Sequence, residues 1–310
     1  MTITQYEYIV AVDTYRHFAT AAAHCHVTQP TLSMQIQKLE DQLGIILFDR
    51  DKHPVLPTDA GVAVIEQARR ILFEHERLIE IVRESKGVIS GTLTIGIIPT
   101  LAPYLLPLFV NKFMKKYPDV VLRVSELTTE QIIDHLKRGL LDCGLLAIPV
   151  EDANVTAIPL FYERLIAYVS EDSALYKKKH LVADDLEPAT AWILQEGHCL
   201  RNQLLRLCNI KPGQKRQLAY ESGSLETLKR LVDANGGFTI LPELAVLDLS
   251  KKKLDNVRYF RNPEPVREIA LVTHRSFIKR KLLELLAESI RKAVPKELLE
   301  DGKKEVIAVG

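Results

Sequence analysis

From the N-terminus to Leu43, apolar residues recur at helical spacing and are separated by short polar breaks. This pattern predicts three short helices, over Thr4–Tyr15, Phe18–Cys25 and Thr28–Leu43. Thr28 is a favourable N-cap for the third helix, and Gly44 ends it. Two helices, a turn and a third helix with outward polar side chains are typical of a helix-turn-helix. These outward hydroxyl and amide groups belong to Gln29, Thr31, Ser33, Gln35 and Gln37.

A wing and a long helix are predicted next. Ile45–Leu56 reads as two short strands around the charged tip Asp49–His53. Thr58 or Asp59 then starts a helix that extends to about Lys86. Its apolar positions alternate at spacings of four and three, a heptad pattern that predicts a dimerisation seam. The seam positions are Val64, Ala68, Ile71, His75, Leu78 and Val82.

Beyond a predicted linker at Gly87–Gly91, apolar strands alternate with amphipathic helices. This series predicts an α/β fold with a parallel sheet covered by helices, followed by a second such unit. The predicted strands are Gly91–Ile98, Val120–Leu127, Cys143–Ile148, Leu165–Ser170, Ala191–Leu194, Gln217–Tyr220, Phe238–Leu241 and Ile269–Thr273. The predicted helices are Pro103–Tyr117, Thr129–Arg138, Ser224–Ala234 and Ser276–Val294. The charged tail from Pro295 is expected to be frayed.

Composition narrows the class of protein only slightly. The chain has 310 residues, of which 47% are hydrophobic and 26% charged, an ordinary globular composition with room for two or three domains. A net charge of +1 gives no global attraction to nucleic acid, so a packed helical bundle without DNA stays an alternative for the N-terminal segment. Without a signal peptide or a bilayer-spanning apolar run, we expect a cytoplasmic protein with no membrane partner.

The segment Gln195–Cys208 carries the candidate chemistry. Cys199 and Cys208 are nine residues apart, so within one helix their thiols would lie on opposite faces, roughly 13 Å apart along the axis. A disulfide needs Cα atoms within about 7 Å, and the two cysteines can therefore join only if the segment unfolds. His198, Arg201 and a helix N-terminus all favour the thiolate of Cys199 by lowering its pKa. This pattern is typical of a redox switch.

Other interpretations of these polar groups stay open at this point. The cysteines could be buried core residues, or zinc ligands together with His180 and His198, although their spacing matches no common zinc site. Thr100 and Thr129 follow predicted strands, where ligands of two-lobed α/β folds bind. An alternative is that both hydroxyls only cap helices.

The N-terminal segment resembles a known family. The run FATAAAHCHVTQPTLSMQIQKLEDQLGIILFDR, which starts at Phe18, is similar to the winged helix-turn-helix of LysR-type transcriptional regulators. The resemblance implies binding to double-stranded DNA through Gln29, Thr31, Ser33 and Gln37, with Arg50 near a phosphate. Met34 departs from the motif, because many members carry arginine there. The resemblance also implies a homodimer through the long helix and two Rossmann-like α/β subdomains similar to periplasmic binding proteins.

The C-terminal part is similar to the peroxide-sensing members of that family, through GHCLRNQ with a cysteine nine residues after the first, and through IGIIPTLAPYLLP, SLETLKRLV, GGFTILPELAV and PEPVREIALV. This resemblance implies that hydrogen peroxide oxidises Cys199 and that Cys208 resolves it as a reversible disulfide. Arg201 would stabilise the thiolate. The implied peroxide contacts are Thr100, Thr129, His198 and Arg267. Cys25 and Cys143 are expected to be buried and inert.

The resulting hypothesis is a homotetrameric activator of antioxidant genes that contacts RNA polymerase and needs no metal or cofactor. Its expected domains are residues 1–58 (winged helix-turn-helix), 59–86 (dimerisation helix), 87–91 (hinge), 92–163 with 268–295 (first effector subdomain), 164–267 (redox-active second subdomain) and 296–310 (tail). The alternatives are a LysR-type regulator that binds a small metabolite in the interlobe cleft, and a thiol peroxidase. The helix-turn-helix and the heptad seam argue against an enzyme.

Overall fold

The computed structural model describes residues 1–85, 89–150, 152–207, 223–261, 263–275, 277, 279–299 and 304–307. It contains two compact units, Met1–Ile89 and Ser90–Gly310. Within the described ranges, no helix combines the length and the apolar character needed to cross a membrane. The predicted positions Gly87, Cys208 and Gln217–Tyr220 lie outside these residues.

The first unit is a winged helix-turn-helix followed by a long helix. Its elements are α1 (Ile3–Tyr15), α2 (Phe18–His24), α3 (Gln29–Leu43), β1 (Phe48–Asp49), β2 (Leu56–Pro57) and α4 (Asp59–Ser85). The predicted helix bounds are confirmed to within a residue or so. Thr28 caps α3 by accepting from the Thr31 backbone N–H, and Gly44 ends it in the left-handed conformation with φ +70°.

Helix α4 has two differently packed halves. Near its start, Ile65 and Ala68 are buried in the core of this unit, where α4 contacts α1. The prediction that Ala68 belongs to a dimerisation seam is therefore wrong, because its small side chain packs inside its own unit. Further along, Leu78 is 64% exposed and Ile81 is 57% exposed. Three exposed apolar side chains on the second half of α4, Leu78, Ile81 and Val82, are thus available for a partner.

The second unit is an α/β unit with mixed strand directions. Its strands are β3 (Gly91–Ile97), β4 (Val120–Glu126), β5 (Cys143–Ile148), β6 (Val155–Val169), β7 (His180–Leu181), β8 (Phe238–Pro242), β9 (Val257–Phe260), β10 (Glu264–His274) and β11 (Lys304–Val306). Its helices are α5 (Ala102–Lys116), α6 (Thr129–Lys137), α7 (Cys199–Leu207), α8 (Leu225–Asn235), α9 (Lys251–Leu254) and α10 (Arg280–Ala293). The α/β fold class is confirmed.

Sheet topology confirms one predicted parallel unit and corrects the other. The strand order is β4-β3-β5-β10-β6-β9-β7, with β8 also paired to β6. β3 runs parallel to β4 and β5, as predicted. However, β10 is antiparallel to β5 and β6, and β8 and β9 are antiparallel to β6. The predicted strand Ala191–Leu194 contributes an isolated bridge between Ala191 and Phe238.

The two long strands β6 and β10 pair with each other in the middle of the strand order. Glu163 on β6 and Arg267 on β10 are directly opposite each other in the register. The tail prediction is wrong for its described residues, since β11 pairs in parallel with Glu264–Val266 of β10. Leu298 is also buried, because apolar side chains in the tail pack onto the sheet.

Candidate functional site: a partly buried thiol

Cys199 lies where two helices begin. It is the first residue of α7, while Thr129 is the first residue of α6. The Cys199 thiol is free and partly buried, and its Sγ lies 2.7 Å from Thr129 Oγ1 in a hydrogen bond. Gly197, with φ +89°, makes the turn that precedes α7, a conformation that glycine adopts without steric cost. The structure therefore joins the predicted residues Thr129 and Cys199, which are 70 positions apart in the chain.

The interpretation of Thr100 and Thr129 as helix caps is wrong. The cap of α6 is Thr128, whose hydroxyl accepts from the Gln131 backbone N–H at 3.4 Å. The N-cap of α5 is Leu101, which makes no side-chain cap. Thr100 Oγ1 instead accepts a hydrogen bond from Arg267 Nη1 at 2.9 Å. Both hydroxyls are therefore directed to the candidate site.

A fully buried ion pair forms the second part of the site. Arg267 and Glu163 are each 0% exposed. Arg267 Nε donates to Glu163 Oε2 at 2.8 Å, and Nη2 lies 2.7 Å from the same oxygen. Arg267 Nη2 also donates to the Thr100 carbonyl at 3.2 Å. Glu163 was not among the predicted site residues, and in sequence it is one of many charged residues, with no motif that marks it.

Burial dominates the electrostatics of the thiol. It raises the pKa of Cys199, while the Thr129 hydrogen bond and the positive charge of Arg267 act in the opposite direction. The predicted net lowering of this pKa is therefore wrong. Burial also lowers the pKa of His198, so the imidazole is neutral near pH 7 and supplies no cation. The cation that acts on the thiol is Arg267.

Other predicted residues have different surroundings. His198 is buried, and a Cβ placed on Gly223 would lie 3.1 Å from its Nε2, so these two residues are close neighbours. Arg201 Nη2 lies 3.5 Å from Glu196 Oε1 in an ion pair, and its action on the thiolate stays a prediction. Cys143 is buried as expected, whereas Cys25 is only partly buried beside the N-terminal core. In the described ranges, no group of three or more His, Cys, Asp or Glu residues is arranged to hold a metal ion.

The candidate DNA-binding residues lie on one exposed part of the first unit. Gln29, Thr31 and Gln37 are exposed on α3, and Ser33 is partly exposed. Arg50 in the wing donates to Ser33 Oγ at 3.3 Å and to the buried Glu40 carboxylate at 2.8 Å. The wing is thereby tied to α3, and its guanidinium is placed beside the residues predicted to face DNA.

Comparisons with known proteins match both units. Residues 3–62 match the family "Bacterial regulatory helix-turn-helix protein, lysR family", and residues 86–295 match "LysR substrate binding domain". The "Hydrogen peroxide-inducible genes activator" of Haemophilus influenzae is 40% identical, over 98% of this chain and 100% of that protein. The "DNA-binding transcriptional dual regulator OxyR" of Escherichia coli is 39% identical, over 94% of this chain and 95% of that protein.

A solved structure agrees with these matches. Full-length OxyR C199D from Pseudomonas aeruginosa superimposes with a TM-score of 0.78 at 33% identity, covering 95% of this chain and 99% of that one. The fold, the two family matches and the nearly complete coverage by these relatives lead to one assignment. This chain belongs to the LysR family of bacterial DNA-binding transcriptional regulators, as a member of the OxyR type.

Proposed function

We propose that this protein senses hydrogen peroxide at Cys199 and activates antioxidant genes in response. The observation that carries the proposal is the 2.7 Å hydrogen bond between Thr129 Oγ1 and Cys199 Sγ. The positive charge of Arg267 acts on the same thiol and favours its thiolate. Hydroxyl and guanidinium donors near a cysteine stabilise the negative charge of its thiolate. They also stabilise the charge that develops on the departing oxygen when the sulfur attacks a peroxide. The relative from Haemophilus influenzae, named as an activator of hydrogen peroxide-inducible genes, supports the same chemistry.

The proposed reaction oxidises one sulfur and reduces one peroxide. The Cys199 thiolate attacks an oxygen of hydrogen peroxide, and the O–O bond breaks. Sulfur loses two electrons and becomes a sulfenic acid, while the second oxygen leaves as hydroxide and takes up a proton to become water. The Cys208 thiol then attacks the sulfenic sulfur, forming a disulfide and releasing another water. A cellular dithiol reverses the bond by thiol–disulfide exchange.

Each polar side chain has a proposed role in this step. Thr129 donates its O–H to the Cys199 thiolate. Thr100 accepts from Arg267, so its own O–H is left to donate to peroxide. Arg267 supplies a positive charge for the departing hydroxide, and neutral His198 contacts peroxide without adding charge. Arg201 is assigned to the thiolate only by resemblance.

The disulfide requires a change of structure in the Cys199 segment. Cys199 is part of helix α7, which runs to Leu207. Cys208 lies outside the described residues, but it is bonded to Leu207, whose Cα lies about 12 Å along the axis from that of Cys199, so the two cysteines stay beyond the reach of a disulfide while α7 is intact. We propose that α7 unfolds on oxidation and that this change in residues 164–267 alters the assembly. We propose the hinge at residues 87–91 and the other domain boundaries as the sequence predicts them.

The output of the switch is assigned to the DNA-binding unit. Gln29, Thr31, Ser33 and Gln37 would contact double-stranded DNA, with Arg50 near a phosphate. The exposed apolar half of α4 supports a homodimer, and two dimers would form a cytoplasmic homotetramer that contacts RNA polymerase. Neither a metal nor a cofactor enters this chemistry, and each thiol would react once per switch without turnover.

The test is mass spectrometry of the full-length protein after addition of hydrogen peroxide. We expect selective oxidation of Cys199 to a disulfide with Cys208, together with a changed footprint on DNA. The Cys208→Ser variant should stop at the sulfenic acid, whereas Cys25→Ser, a matched control on a cysteine of the first unit, should behave like the wild type. Full reversible switching in Cys208→Ser would refute the disulfide mechanism. Peroxide consumption far beyond one equivalent per thiol would indicate a peroxidase, and ligand-dependent stabilisation of a cysteine-free variant would indicate a metabolite sensor.

A further inference from the structure

We propose that Glu163 is a positioning residue for the reaction of Cys199 with peroxide, because its buried carboxylate holds Arg267 against Thr100. This inference rests on the proposed function and adds to it a residue that contacts neither sulfur nor peroxide in the proposed reaction. Glu163 acts through Arg267, whose guanidinium is the cation of the site. No sequence motif pointed to it, and the assignment comes from the pairing of two distant strands.

Both oxygens of the Glu163 carboxylate are occupied by donors from different elements. Oε2 accepts from Arg267 Nε at 2.8 Å, and Oε1 accepts from the Leu244 backbone N–H at 3.0 Å. The side chain is therefore fixed at both ends. An amide in its place has only one acceptor oxygen, so its NH2 group would face either Arg267 or the Leu244 N–H, both of which are donors. This geometry requires a carboxylate.

The guanidinium is fixed by the same contacts. Glu163 holds the Nε and Nη2 edge of Arg267, while Thr100 accepts from Nη1 through its hydroxyl and from Nη2 through its carbonyl. Nη1 carries two N–H groups but makes one hydrogen bond, to Thr100 Oγ1, among the described residues, which leaves its other N–H without a bond there. That N–H can therefore donate to an incoming oxygen. A planar, forked cation does this only if its orientation is held.

Strand alternation supplies a matched control. Glu163 and Arg164 are consecutive on β6, so their side chains point to opposite faces of the sheet. Arg164 forms its own ion pair with Glu243, in which Nε donates to Oε2 at 2.7 Å. Its guanidinium lies over the ring of Tyr259. The pair Arg164–Glu243 is thus a neighbouring ion pair that contacts neither Thr100 nor Arg267 among its described hydrogen bonds. Glu243→Gln should disturb local stability without changing the reaction with peroxide.

The experiment compares two reactions of the same thiol in the full-length protein. Rate constants with hydrogen peroxide and with iodoacetamide are measured on the Cys199 peptide by mass spectrometry, at one pH. Iodoacetamide also reacts with the thiolate, so the ratio of the two constants removes the effect of a changed thiolate content. In Glu163→Gln we expect this ratio to fall by about tenfold, as for loss of one charge-assisted hydrogen bond in the transition state. In Glu243→Gln it should equal that of the wild type.

The outcomes separate this inference from the proposed function. A ratio within about twofold of the wild type in folded Glu163→Gln would overturn the positioning role, since a merely structural residue lowers stability and leaves the ratio unchanged. If Glu163→Gln does not fold, Glu163→Asp, which keeps the charge but is one methylene shorter, is measured by the same criterion. A wild-type ratio no higher than that of free cysteine would instead refute peroxide sensing itself.

Discussion

Removing the Thr129 hydroxyl tests the most direct contact of the thiol. Thr129→Val keeps the volume and shape of the side chain but deletes the oxygen that lies 2.7 Å from Cys199 Sγ. That hydrogen bond lowers the pKa of the thiol against the effect of burial, so the variant should have a higher pKa and less thiolate at pH 7. A hydrogen bond to a charged partner contributes about 1.5–3 kcal/mol, and the rate constant with peroxide should fall by about 10- to 100-fold.

The assay is stopped-flow fluorescence of Trp192, the single tryptophan of the chain. Trp192 packs against the core cluster that includes Leu200 and Leu204 of α7, so a change in α7 should alter its emission. Thr128→Val is the matched control. It removes the cap of α6 and should cost about 1 kcal/mol of stability, measured by urea unfolding, without slowing the thiol.

Two results would contradict the reasoning. A Thr129→Val rate constant within about threefold of the wild-type value would mean that the hydroxyl does not stabilise the thiolate that attacks peroxide. A Thr128→Val rate constant as low as that of Thr129→Val would mean that the start of α6, not the Thr129 hydroxyl, controls the thiol. The comparison of the two variants thereby separates the effect of the Thr129 hydroxyl on the thiol from the effect of the Thr128 cap on α6.

Three further predictions concern pH, DNA and assembly. Because burial raises the pKa of Cys199, the rate constant with peroxide should rise about tenfold per unit between about pH 6 and 8, and a flat profile would contradict this. Met34, 61% exposed on α3, occupies the position where many family members carry arginine. Met34→Arg should therefore tighten DNA binding and steepen the slope of log K against log salt by about 1, measured by fluorescence anisotropy. Leu78→Lys places a charge in the exposed apolar half of α4 and should dissociate the dimer in sedimentation velocity, whereas Arg77→Lys at the neighbouring position should not.

The elements that sequence could predict are those whose stability is mostly local. Helix α3 has a capping threonine, an apolar stripe and a terminal glycine, and each signal agrees with the observed bounds. The strands β6 and β10 were predicted too short, and the antiparallel pairing between them was missed. Periodicity shows that a strand exists, but its direction and partner depend on contacts between residues about a hundred positions apart.

The same difference between local signals and long-range contacts applies to the site. A cysteine with a helix start beside it is visible in sequence, and Cys199 was placed correctly at the beginning of α7. The net direction of its pKa was predicted wrongly, because the sequence shows the neighbours His198 and Arg201 but not the depth of burial. Glu163 was missed for a related reason, since its role depends on the register between β6 and β10.

The contacts of α7 explain how a single bond could remodel this segment. At nine residues, α7 is too short to be stable alone, so its tertiary contacts must hold it. Leu200 and Leu204 supply buried apolar surface, but Gln203, also fully buried, places a polar amide between them. Its Nε2 donates to the Ile307 carbonyl at 2.8 Å, whereas its Oε1 has no partner among the described residues, which costs free energy. The incompletely paired amide of Gln203 therefore opposes the stabilisation that α7 gains when Leu200, Leu204, Leu205 and Leu207 pack with the core. A disulfide, which typically contributes about 2–4 kcal/mol, would add to the free energy that favours the unfolded segment.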